Sequence, residues 1–295
     1  MEIRTLRYFL AVAREENMSR AADILHVSQS TLSKQIKSLE EELGKKLFLR
    51  HSFSIELTEE GVLLRNRAQD LILMADKIEQ EFLSLDDITG GELYLGLAES
   101  YQIQYLAKVI KELKRLYPGL HYNITSGDTE QIIDHLDKGL LDFVVLAEQP
   151  DHRKYDYIEF PESDIWGVVM PFDDSMAVKE KITPQDLEGQ PLFCSQQSWN
   201  NEIKSWAGNS FSLFKQEGFF RLSYNGAMFA KEGLGYLLTF KHLIDTSPES
   251  GLVFRELSPR LETKLYLTWN RYQSFTPMAQ RFLDAIKKAF IKKTQ

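Results

Sequence analysis

The stretch that decides the fold of the N-terminal part is SRAADILHVSQSTLSKQI, which runs from Ser19 to Ile36. Ser19 and Ser28 each stand where a hydroxyl would cap the first turn of a helix. Only His26 and Val27 separate the two predicted helices. Because so short a connection forces two helices to cross steeply, the stretch predicts a helix-turn-helix.

Small and apolar residues give this pair of predicted helices a shared core. The first helix should run to about Leu25 and the second to about Leu43, where Gly44 stops it. Alanines allow the two helices to approach closely, and larger apolar side chains fill the space between them. The predicted core positions are Ala21, Ala22, Leu25, Val27, Leu32 and Ile36.

The opposite side of the second predicted helix is polar. It carries amides, hydroxyls and ammonium groups, which are the groups that pair with base edges and phosphates in a DNA major groove. These residues are Gln29, Ser30, Thr31, Ser33, Lys34, Lys37 and Ser38. Taken alone, such a face would also suit a helix that is merely solvated. Its fixed placement after a two-residue turn favours a DNA-contacting surface.

A long helical pattern begins at Thr58, whose hydroxyl is placed to cap it. Apolar residues then recur in alternating steps of four and three, which is the heptad spacing of a coiled coil. This seam consists of Leu64, Ala68, Leu71, Ala75, Ile78, Phe82 and Leu85. No matching helix lies beside it in the sequence, so pairing with a second copy of the chain is favoured, and packing on a neighbouring domain is the alternative. Glycines and turn formers at residues 86–91 predict a linker.

From about Gly91 onward, strand and helix patterns alternate, which predicts parallel sheets built from βαβ units. The region is too long for one sheet of such short elements, so we expect two lobes with crossovers near Glu159–Asp164 and Ser258–Lys264. Strands are predicted at Leu93–Leu97, His121–Thr125, Asp142–Ala147, Ile165–Met170, Leu192–Cys194, Phe219–Ser223, Gly235–Thr239 and Lys264–Trp269. Helices are predicted at Gln102–Tyr117 and from about Thr129 and Thr276.

The composition of the 295 residues restricts the possible binding partners of the protein and the cellular compartment in which it is expected. The chain has a net charge of −8, but residues 1–57 contain nine basic and eight acidic side chains and are therefore near neutral. The excess of acidic residues lies in the rest of the chain, so the N-terminal part is compatible with DNA binding. The one cysteine, Cys194, excludes an internal disulfide and suits a reducing compartment. The start has no apolar signal core, and no apolar run approaches the roughly 20 residues that cross a bilayer. We therefore expect a cytoplasmic protein without membrane contact.

The residues from Ser19 to Arg50 closely resemble the N-terminal domain of LysR-type transcriptional regulators. The resemblance rests on Ser19–Ile36, Leu39–Gly44 and Leu47–Arg50, covers residues 1 to about 85 in detail, and extends over the rest in outline. It implies an α/β protein with an N-terminal all-α winged helix-turn-helix and a two-lobed effector domain similar to periplasmic binding proteins. It also implies double-stranded DNA and a small-molecule effector as partners, and assembly as a dimer or tetramer.

The resemblance gives the expected domain boundaries together with three sequence patterns, which are the helix-turn-helix, the heptad repeat and the alternation of strands and helices. A winged helix-turn-helix is expected at residues 1–57, a dimerisation linker helix at 58–87 and an effector-binding domain at 88–295. Within that domain, lobe I is expected at about 91–161 and 265–295, and lobe II at about 162–264.

The motif and the resemblance together place the DNA contacts at Ser28, Gln29, Ser30, Thr31, Ser33, Lys34, Lys37 and Arg50. Ser30 stands where the family often has proline, which should be harmless because serine suits a first helical turn. The wing, residues 50–56, carries Arg50 alone where relatives frequently have two or more arginines. Because fewer bases release fewer counterions, we expect modest nonspecific affinity for DNA.

The similarity to periplasmic binding proteins places a ligand site in the cleft between the lobes, where strand ends and helix starts converge. Hydroxyls and free amides at helix starts bind polar and often anionic ligands. The candidate effector contacts are Ser100, Tyr101, Thr125, Ser126, Ser195, Gln196 and Tyr224. The alternative is that each of them merely caps its own helix. Glu99 and Glu148 near the cleft disfavour a strongly anionic effector.

An enzyme built on the α/β region and a pure ligand-binding protein are the alternative functions. The sequence has no Gly-x-x-x-x-Gly-Lys-Ser/Thr, no Gly-x-Gly-x-x-Gly, no Gly-x-Ser-x-Gly, no His-x-x-x-His and no paired cysteines. Its histidines are scattered singly, and Cys194 at a strand end is expected to be buried rather than nucleophilic. These absences predict no catalytic residues, no metal and no cofactor. A pure ligand-binding protein would leave the first 57 residues without a role.

Overall fold

The computed structural model describes residues 1–51, 54–85 and 89–291. The chain divides into two compact units, Met1–Ser84 and Leu85–Gln295. The tip of the predicted wing at Ser52-Phe53 and the predicted linker residues Asp86-Asp87-Ile88 lie outside the described residues. The boundaries of the linker helix and of the two lobes remain predictions.

The N-terminal unit combines helices with one short antiparallel hairpin, which is the predicted winged helix-turn-helix. Its helices are α1 (Ile3–Glu15), α2 (Met18–Ile24), α3 (Gln29–Leu43) and α4 (Glu59–Ser84), and its strands are β1 (Phe48–Arg50) and β2 (Ile55–Leu57). The helix-turn-helix itself consists of α2 and α3.

The core of this unit lies between the first three helices, the beginning of α4 and the hairpin. Leu32 and Ile36 of α3 are fully buried and pack with Phe9 of α1 and with Ala21 of α2. The two small residues of α2 allow the close approach that the sequence predicted, since Ala21 is 0% and Ala22 is 2% exposed. Burial of this apolar face fixes which side of α3 faces outward.

The structure confirms the predicted cap of α3 and shows that the predicted cap of α2 is wrong. Ser28 caps α3, because its Oγ accepts a hydrogen bond from the Thr31 amide at 3.1 Å. Ser19 does not cap α2. The side chain of Asn17 does so instead, accepting from the Arg20 amide at 3.0 Å, because the helix begins one residue before Ser19.

Glu40 joins α3 to the hairpin although the sequence shows it only as part of an acidic run. Its side chain is 5% exposed and accepts hydrogen bonds from the Leu47 amide at 2.9 Å and from the Lys46 ammonium at 2.8 Å. Burial would raise the pKa of Glu40, but the Lys46 side chain and the amides of Leu47 and Phe48 outweigh it and lower the pKa. The ionised carboxylate therefore holds the start of β1 against α3.

The second unit contains two mixed sheets, in agreement with the predicted α/β class. A five-stranded sheet has the order β4-β3-β5-β14-β6, and a seven-stranded sheet has the order β10-β9-β11-β7-β12-β8 with β13 beside β7. The strands are β3 (Gly90–Leu97), β4 (Gly119–Ser126), β5 (Phe143–Leu146), β6 (Tyr155–Glu159), β7 (Asp164–Pro171), β8 (Lys181–Ile182), β9 (Pro191–Cys194), β10 (Lys215–Phe219), β11 (Tyr236–Phe240), β12 (Leu252–Leu257), β13 (Glu262–Thr263) and β14 (Tyr266–Asn270).

Helices flank these sheets and connect their strands. They are α5 (Gln104–Leu116), α6 (Thr129–Asp137), α7 (Gln196–Ser198), α8 (Lys204–Ala207), α9 (Ser223–Lys231) and α10 (Pro277–Ile291). A 3-10 turn, Tyr101–Ile103, precedes α5, and a π-helical turn, Trp199–Ile203, joins α7 to α8. Apolar faces of α5 and α10 pack with β3 and β14 in one buried cluster that includes Leu93, Leu267 and Phe282.

Two details of the sequence-based prediction were wrong. The sheets are not purely parallel, since β14 runs antiparallel to β5 and β6, and β7 runs antiparallel to β11 and β12. The predicted strand Phe219–Ser223 lies too far along the chain, because β10 ends at Phe219 and Ser223 begins α9. A run of apolar residues marks a buried strand but carries no information on its direction.

The two predicted crossovers run side by side between the sheets. The Phe160 amide donates to the Leu265 carbonyl at 2.9 Å, and the Trp166 amide donates to the Leu261 carbonyl at 3.0 Å. Next to them, Asp164 of β7 pairs with Thr263 of β13. The backbone of the second unit thus passes from one sheet to the other twice at the same place.

Across the part of the chain that the structure describes, no helix is both long enough and apolar enough to span a bilayer.

Candidate functional site

The outward face of α3 presents most of the predicted DNA contacts. Ser33 is only partly exposed, and Arg50 lies on β1 opposite Ile55 with a side chain outside the described part of the structure. The exposed members of the predicted set are Ser28, Gln29, Ser30, Thr31, Lys34 and Lys37. The structure therefore brings these side chains to one surface at the start of α3.

Hydroxyl groups at the start of α3 are bonded to one another. Ser28 Oγ lies 2.7 Å from Thr31 Oγ1 and 3.0 Å from Ser30 Oγ. Because Ser28 also caps the helix, its hydroxyl has a structural role whatever else it contacts. The network holds the Ser30 and Thr31 side chains in place at the exposed end of the helix.

The two lysines of this face differ in their surroundings. Lys37 lies 3.5 Å from Glu41 one turn later on the exposed side of α3, which is a weak surface ion pair. Within the described residues, Lys34 has no acidic side chain at ion-pair distance and is exposed. Lys34 is thus the more available cation for a phosphate.

The predicted seam of α4 divides into a buried and an exposed part. Ala68 is fully buried and Leu64 partly buried, and both pack into the core of the N-terminal unit. Farther along the helix the seam is open, with exposed fractions of 44% for Leu71, 46% for Ile78 and 70% for Phe82. A stripe of large apolar side chains is therefore uncovered in the single chain.

A cavity of about 680 Å³ lies in the second unit. Its walls come from residues just after β3 and β5, the segment that leads into α6, the strands β7 and β11, the end of β9 with the helical segment after it, and the segment that leads from β10 into α9. They include residues in or next to strands of both sheets. The polar and charged residues of the wall are Glu99, Asp128, Thr129, Glu130, Ser195, Gln196, Gln197, Ser198, Glu202, Arg221, Ser223 and Thr239.

Two of the predicted effector contacts line this cavity, and the other five do not. Ser195 and Gln196 belong to the wall, whereas Ser100, Tyr101, Thr125, Ser126 and Tyr224 do not. The Ser100 hydroxyl turns inward and accepts from the Gln102 amide at 2.9 Å, capping the 3-10 turn before α5. The ring of Tyr101 packs on that of His242, with ring centroids 4.6 Å apart. Ser126 and Tyr224 are exposed away from the wall.

Ser100 belongs to a buried polar cluster with Gln102 and Asp164. Asp164 is 1% exposed, and neither of its carboxylate oxygens has a hydrogen-bond partner of normal geometry among the described residues. Burial raises the pKa of Asp164 to about 6, and the nearby side chains of Ser100 and Gln102 offset this in part. No local sequence pattern marks this carboxyl, because its burial depends on the two crossing segments.

Three polar bridges tie opposite walls of the cavity together. Glu99 Oε2 accepts from the Ser223 amide at 2.8 Å, and Arg221 lies 3.2 Å from Asp128. Beside the cavity, Glu148 accepts hydrogen bonds from the amides of the Gln197 and Asn201 side chains. In each bridge the carboxylate comes from the part of the chain before residue 150 and the donor from the part after 190.

Glu202 adds a buried carboxyl to this wall. Its Oε2 is fully buried and has no hydrogen-bond partner among the described residues. Burial raises the pKa of Glu202, and the negative charge of Glu148 adds to the effect. Glu202, Glu130 and Arg221 could not be predicted as wall residues, because nothing local in the sequence shows that these loops and helices meet.

Cys194 also borders the cavity, and its surroundings make it an unreactive thiol. It is 1% exposed, and burial together with the charge of Glu202 raises the pKa of the thiol to about 12. Within residues 1–51, 54–85 and 89–291, no group of histidine, cysteine and acidic side chains has the geometry of a metal site.

Two family models match the chain over most of its length. The model described as LysR substrate binding domain matches residues 87–291, and the model described as bacterial regulatory helix-turn-helix protein, lysR family, matches residues 3–62. The chain belongs to the LysR family. The α3 face and the cavity described above lie within these two matched segments, one in each.

Characterised members of the LysR family are similar to this chain in sequence. The hydrogen peroxide-inducible genes activator of Dickeya chrysanthemi is 33% identical over 193 residues, which are 65% of this chain and 63% of that protein. The HTH-type transcriptional regulator AlsR of Bacillus subtilis is 29% identical over 203 residues, 68% of this chain and 66% of that protein. The similar segment thus spans less than two thirds of either relative.

A solved LysR-family structure has the same fold. Full-length CbnR complexed with its target DNA aligns with 98% of this chain and 100% of its own, with a TM-score of 0.79 and 18% sequence identity. At this level of identity the likeness concerns the fold alone.

Proposed function

We propose that this LysR-family protein is a DNA-binding transcriptional regulator that places α3 in the major groove of double-stranded DNA. The observation that carries the proposal is the construction of α3. One face is buried through Leu32 and Ile36, and the other presents amides, hydroxyls and an available lysine directly after a tight turn. This combination suits recognition of base edges and phosphates.

Within this face we assign different roles to the neutral and the charged side chains. Gln29 at the start of α3 would contact base edges, and Lys34 would contact a phosphate. Arg50 of the hairpin would add a minor-groove or backbone contact. Ser28, Ser30, Thr31, Ser33 and Lys37 complete the proposed contact set.

A gel-shift assay with fragments of the source genome tests this proposal, with Gln29→Ala, Lys34→Ala and, as a matched control, Lys215→Ala on the exposed strand β10. Lys34→Ala should weaken binding to all fragments by about threefold to tenfold and lower the salt dependence by about one released ion. Gln29→Ala should reduce discrimination between fragments by about 1–3 kcal/mol. Unchanged affinity and selectivity in both variants would show that the recognition surface lies elsewhere.

We further propose that the active form is a homo-oligomer, a dimer or tetramer paired through α4. The exposed seam residues Leu71, Ile78 and Phe82 support this assignment, since a second copy of the same helix would cover them. Two copies would also present two α3 helices to the DNA, which suits an operator with two half-sites.

The cavity of the second unit is the proposed site of a small-molecule effector. Its volume of about 680 Å³ falls within the range of ligand pockets, and its walls come from residues in or next to strands of both sheets. A ligand there would bias the angle between the proposed lobes 91–161 with 265–295 and 162–264, and the proposed linker helix 58–87 would transmit that bias to the DNA-binding units 1–57.

Ligand binding, not oxidation of a thiol, is the signal that we propose. Several relatives are named hydrogen peroxide-inducible genes activators. Oxidation by peroxide requires an accessible thiolate. The one cysteine of this chain is buried with its pKa raised to about 12, which opposes that chemistry.

This role needs no catalytic residue, and we propose that the chain acts as a regulator and not as an enzyme. Because its proposed partner is genomic DNA, the proposed site of action is the cytoplasm.

A further inference from the structure

The charged side chains around the effector cavity are mostly acidic. Glu99, Asp128, Glu130 and Glu202 line it, and the one basic side chain of the described wall is Arg221. Arg221 is already paired with Asp128 at 3.2 Å. A carboxylate ligand would therefore meet net negative charge, which opposes its binding at short range.

At each helix start of this cavity, one backbone amide already has an acceptor from the protein. The amide of Ser223, at the start of α9, donates to Glu99, and the amide of Gln131, near the start of α6, donates to Asp128. At α7 the hydroxyl of Ser195 accepts from the Ser198 amide at 3.1 Å. A side chain of this protein thus accepts from one amide at each helix start, and at α6 and α9 that side chain is a carboxylate, which would repel an anion placed there.

Glu202 supplies the opposite kind of group, an acceptor with one oxygen that lacks a donor. Its Oε2 is buried and has no hydrogen-bond partner among the described residues. The Ser198 side chain hydrogen-bonds to the same carboxyl group, and Glu148 places a second carboxylate near it. A buried carboxylate oxygen without a donor is unfavourable, and a bound cation with N–H groups would supply both the charge and the hydrogen bond.

The remaining walls are aromatic. Phe219, Phe220, Phe240 and Trp166 line the cavity together with Leu237 and Leu243. Aromatic faces attract organic cations and bury the carbon skeleton that carries them. Carboxylates combined with aromatic rings are the pairing that recognises an ammonium group on an apolar body.

We propose that the cavity selects an organic ammonium ion, with Glu202 as the principal charge partner and the aromatic walls around the carbon skeleton. This inference rests on the proposed effector role of the cavity and specifies the chemical class of the ligand. Carboxylates of the protein already occupy the starts of α6 and α9, whereas Glu202 Oε2 is an acceptor that has no donor among the described residues.

The test uses the full chain and measures binding of matched amine and carboxylate pairs by titration calorimetry and thermal shift. The pairs are phenethylammonium with hydrocinnamate, butylammonium with valerate, and putrescine with adipate, and phenethyl alcohol serves as the neutral analogue. At least one amine should bind about tenfold or more tightly than its carboxylate partner, and phenethylammonium should bind more tightly than the alcohol. A carboxylate that binds more tightly than its amine, or the absence of any amine-selective binding, would overturn the proposal.

Variants of the acidic wall locate the binding. Glu202→Gln should weaken the binding of the amine about tenfold and leave the weak affinity for phenethyl alcohol unchanged. Glu249→Gln, an exposed acid outside the cavity wall, is the matched control and should change neither affinity. An amine affinity that survives Glu202→Gln would contradict the assignment of Glu202. Gel shifts with the same preparations distinguish the proposed DNA-binding function from the proposed ammonium selectivity. Intact DNA binding without amine selectivity would support the first proposal and contradict the second.

Discussion

At the scale of single residues, Glu40 shows how one carboxylate connects two elements of the N-terminal unit. Three donors, Lys46 and the amides of Leu47 and Phe48, converge on it from the segment that leads into β1. The Lys46 ammonium is largely exposed, so the stronger part of this contact is the pair of hydrogen bonds from buried amides to a charged carboxylate, for which water does not compete. The hairpin should therefore depend on the charge of this side chain.

Glu40→Gln should lower the free energy of unfolding by about 1–3 kcal/mol at neutral pH. The folded pKa of Glu40 lies below its ordinary value of 4.5, so its contribution is present above that value and is lost as the pH falls through the lowered pKa. Urea unfolding of the wild type and the variant across this pH range checks the prediction. Glu41→Gln on the exposed side of α3 is the control, and an equal loss in both variants would contradict the special role of Glu40.

Asp164 should have the opposite effect on stability. Its pKa rises from 3.8 to about 6 on folding, so between these values the folded state binds a proton that the unfolded state has released. Stability therefore falls as the pH rises through this window. Asp164→Asn should stabilise the protein by about 3 kcal/mol at neutral pH and by almost nothing near the ordinary pKa. Thermal unfolding at both pH values is the measurement, Asp173→Asn is the exposed control, and a gain that does not depend on pH would refute the account.

At the scale of elements, α4 is buried in one part of its length and exposed in another. Its beginning belongs to the core of its own unit through Ala68, whereas Leu71, Ile78 and Phe82 are exposed. A change in the exposed part should act on association and leave the fold of the unit intact.

Leu71→Asp should shift the oligomer toward the monomer, with at least a tenfold weaker association, because it places a charge in the proposed seam. Leu73→Asp is a matched control, since Leu73 is 54% exposed on the same helix and lies off the seam. Size-exclusion chromatography with light scattering at micromolar concentration measures the difference. If the wild type is a monomer, or if both variants dissociate equally, α4 is not the pairing helix.

The elements also show how far the sequence predicts this structure. Local sequence patterns correctly predict the caps of α3 at Ser28 and Gly44 and the cap of α4 at Thr58, because capping depends on a few neighbouring residues. The directions of β7 and β14 depend on the path of the chain between the sheets, which no local pattern encodes. Ser195 and Gln196 could be predicted as cavity residues because they follow a strand and begin a helix. Glu202 and Arg221 could not, because their place in the cavity wall depends on the path of the chain.

At the scale of the whole molecule, the chain has a single thiol, so cysteine chemistry can be followed without ambiguity. Native Cys194 should react with a thiol reagent about a thousandfold more slowly than the unfolded chain at neutral pH, because its raised pKa and its burial suppress the thiolate. Hydrogen peroxide should leave DNA binding unchanged, and Cys194→Ser should behave like the wild type. Rapid labelling of the native protein, or peroxide-dependent DNA binding that Cys194→Ser abolishes, would restore a redox role.

The π-helical turn at Trp199–Ile203 has a consequence for how this molecule could change over time. Such a turn holds one more residue than an α-helical turn, and Glu202 lies within it. Deleting Glu202 would remove the extra residue of the turn, restore α-helical spacing and leave the side chains of α7 and α8 in register. The cavity wall would then lose this carboxyl without a change in the flanking helices. Ligand preference in this protein is thus open to evolution through the length of one turn as well as through the identity of its residues.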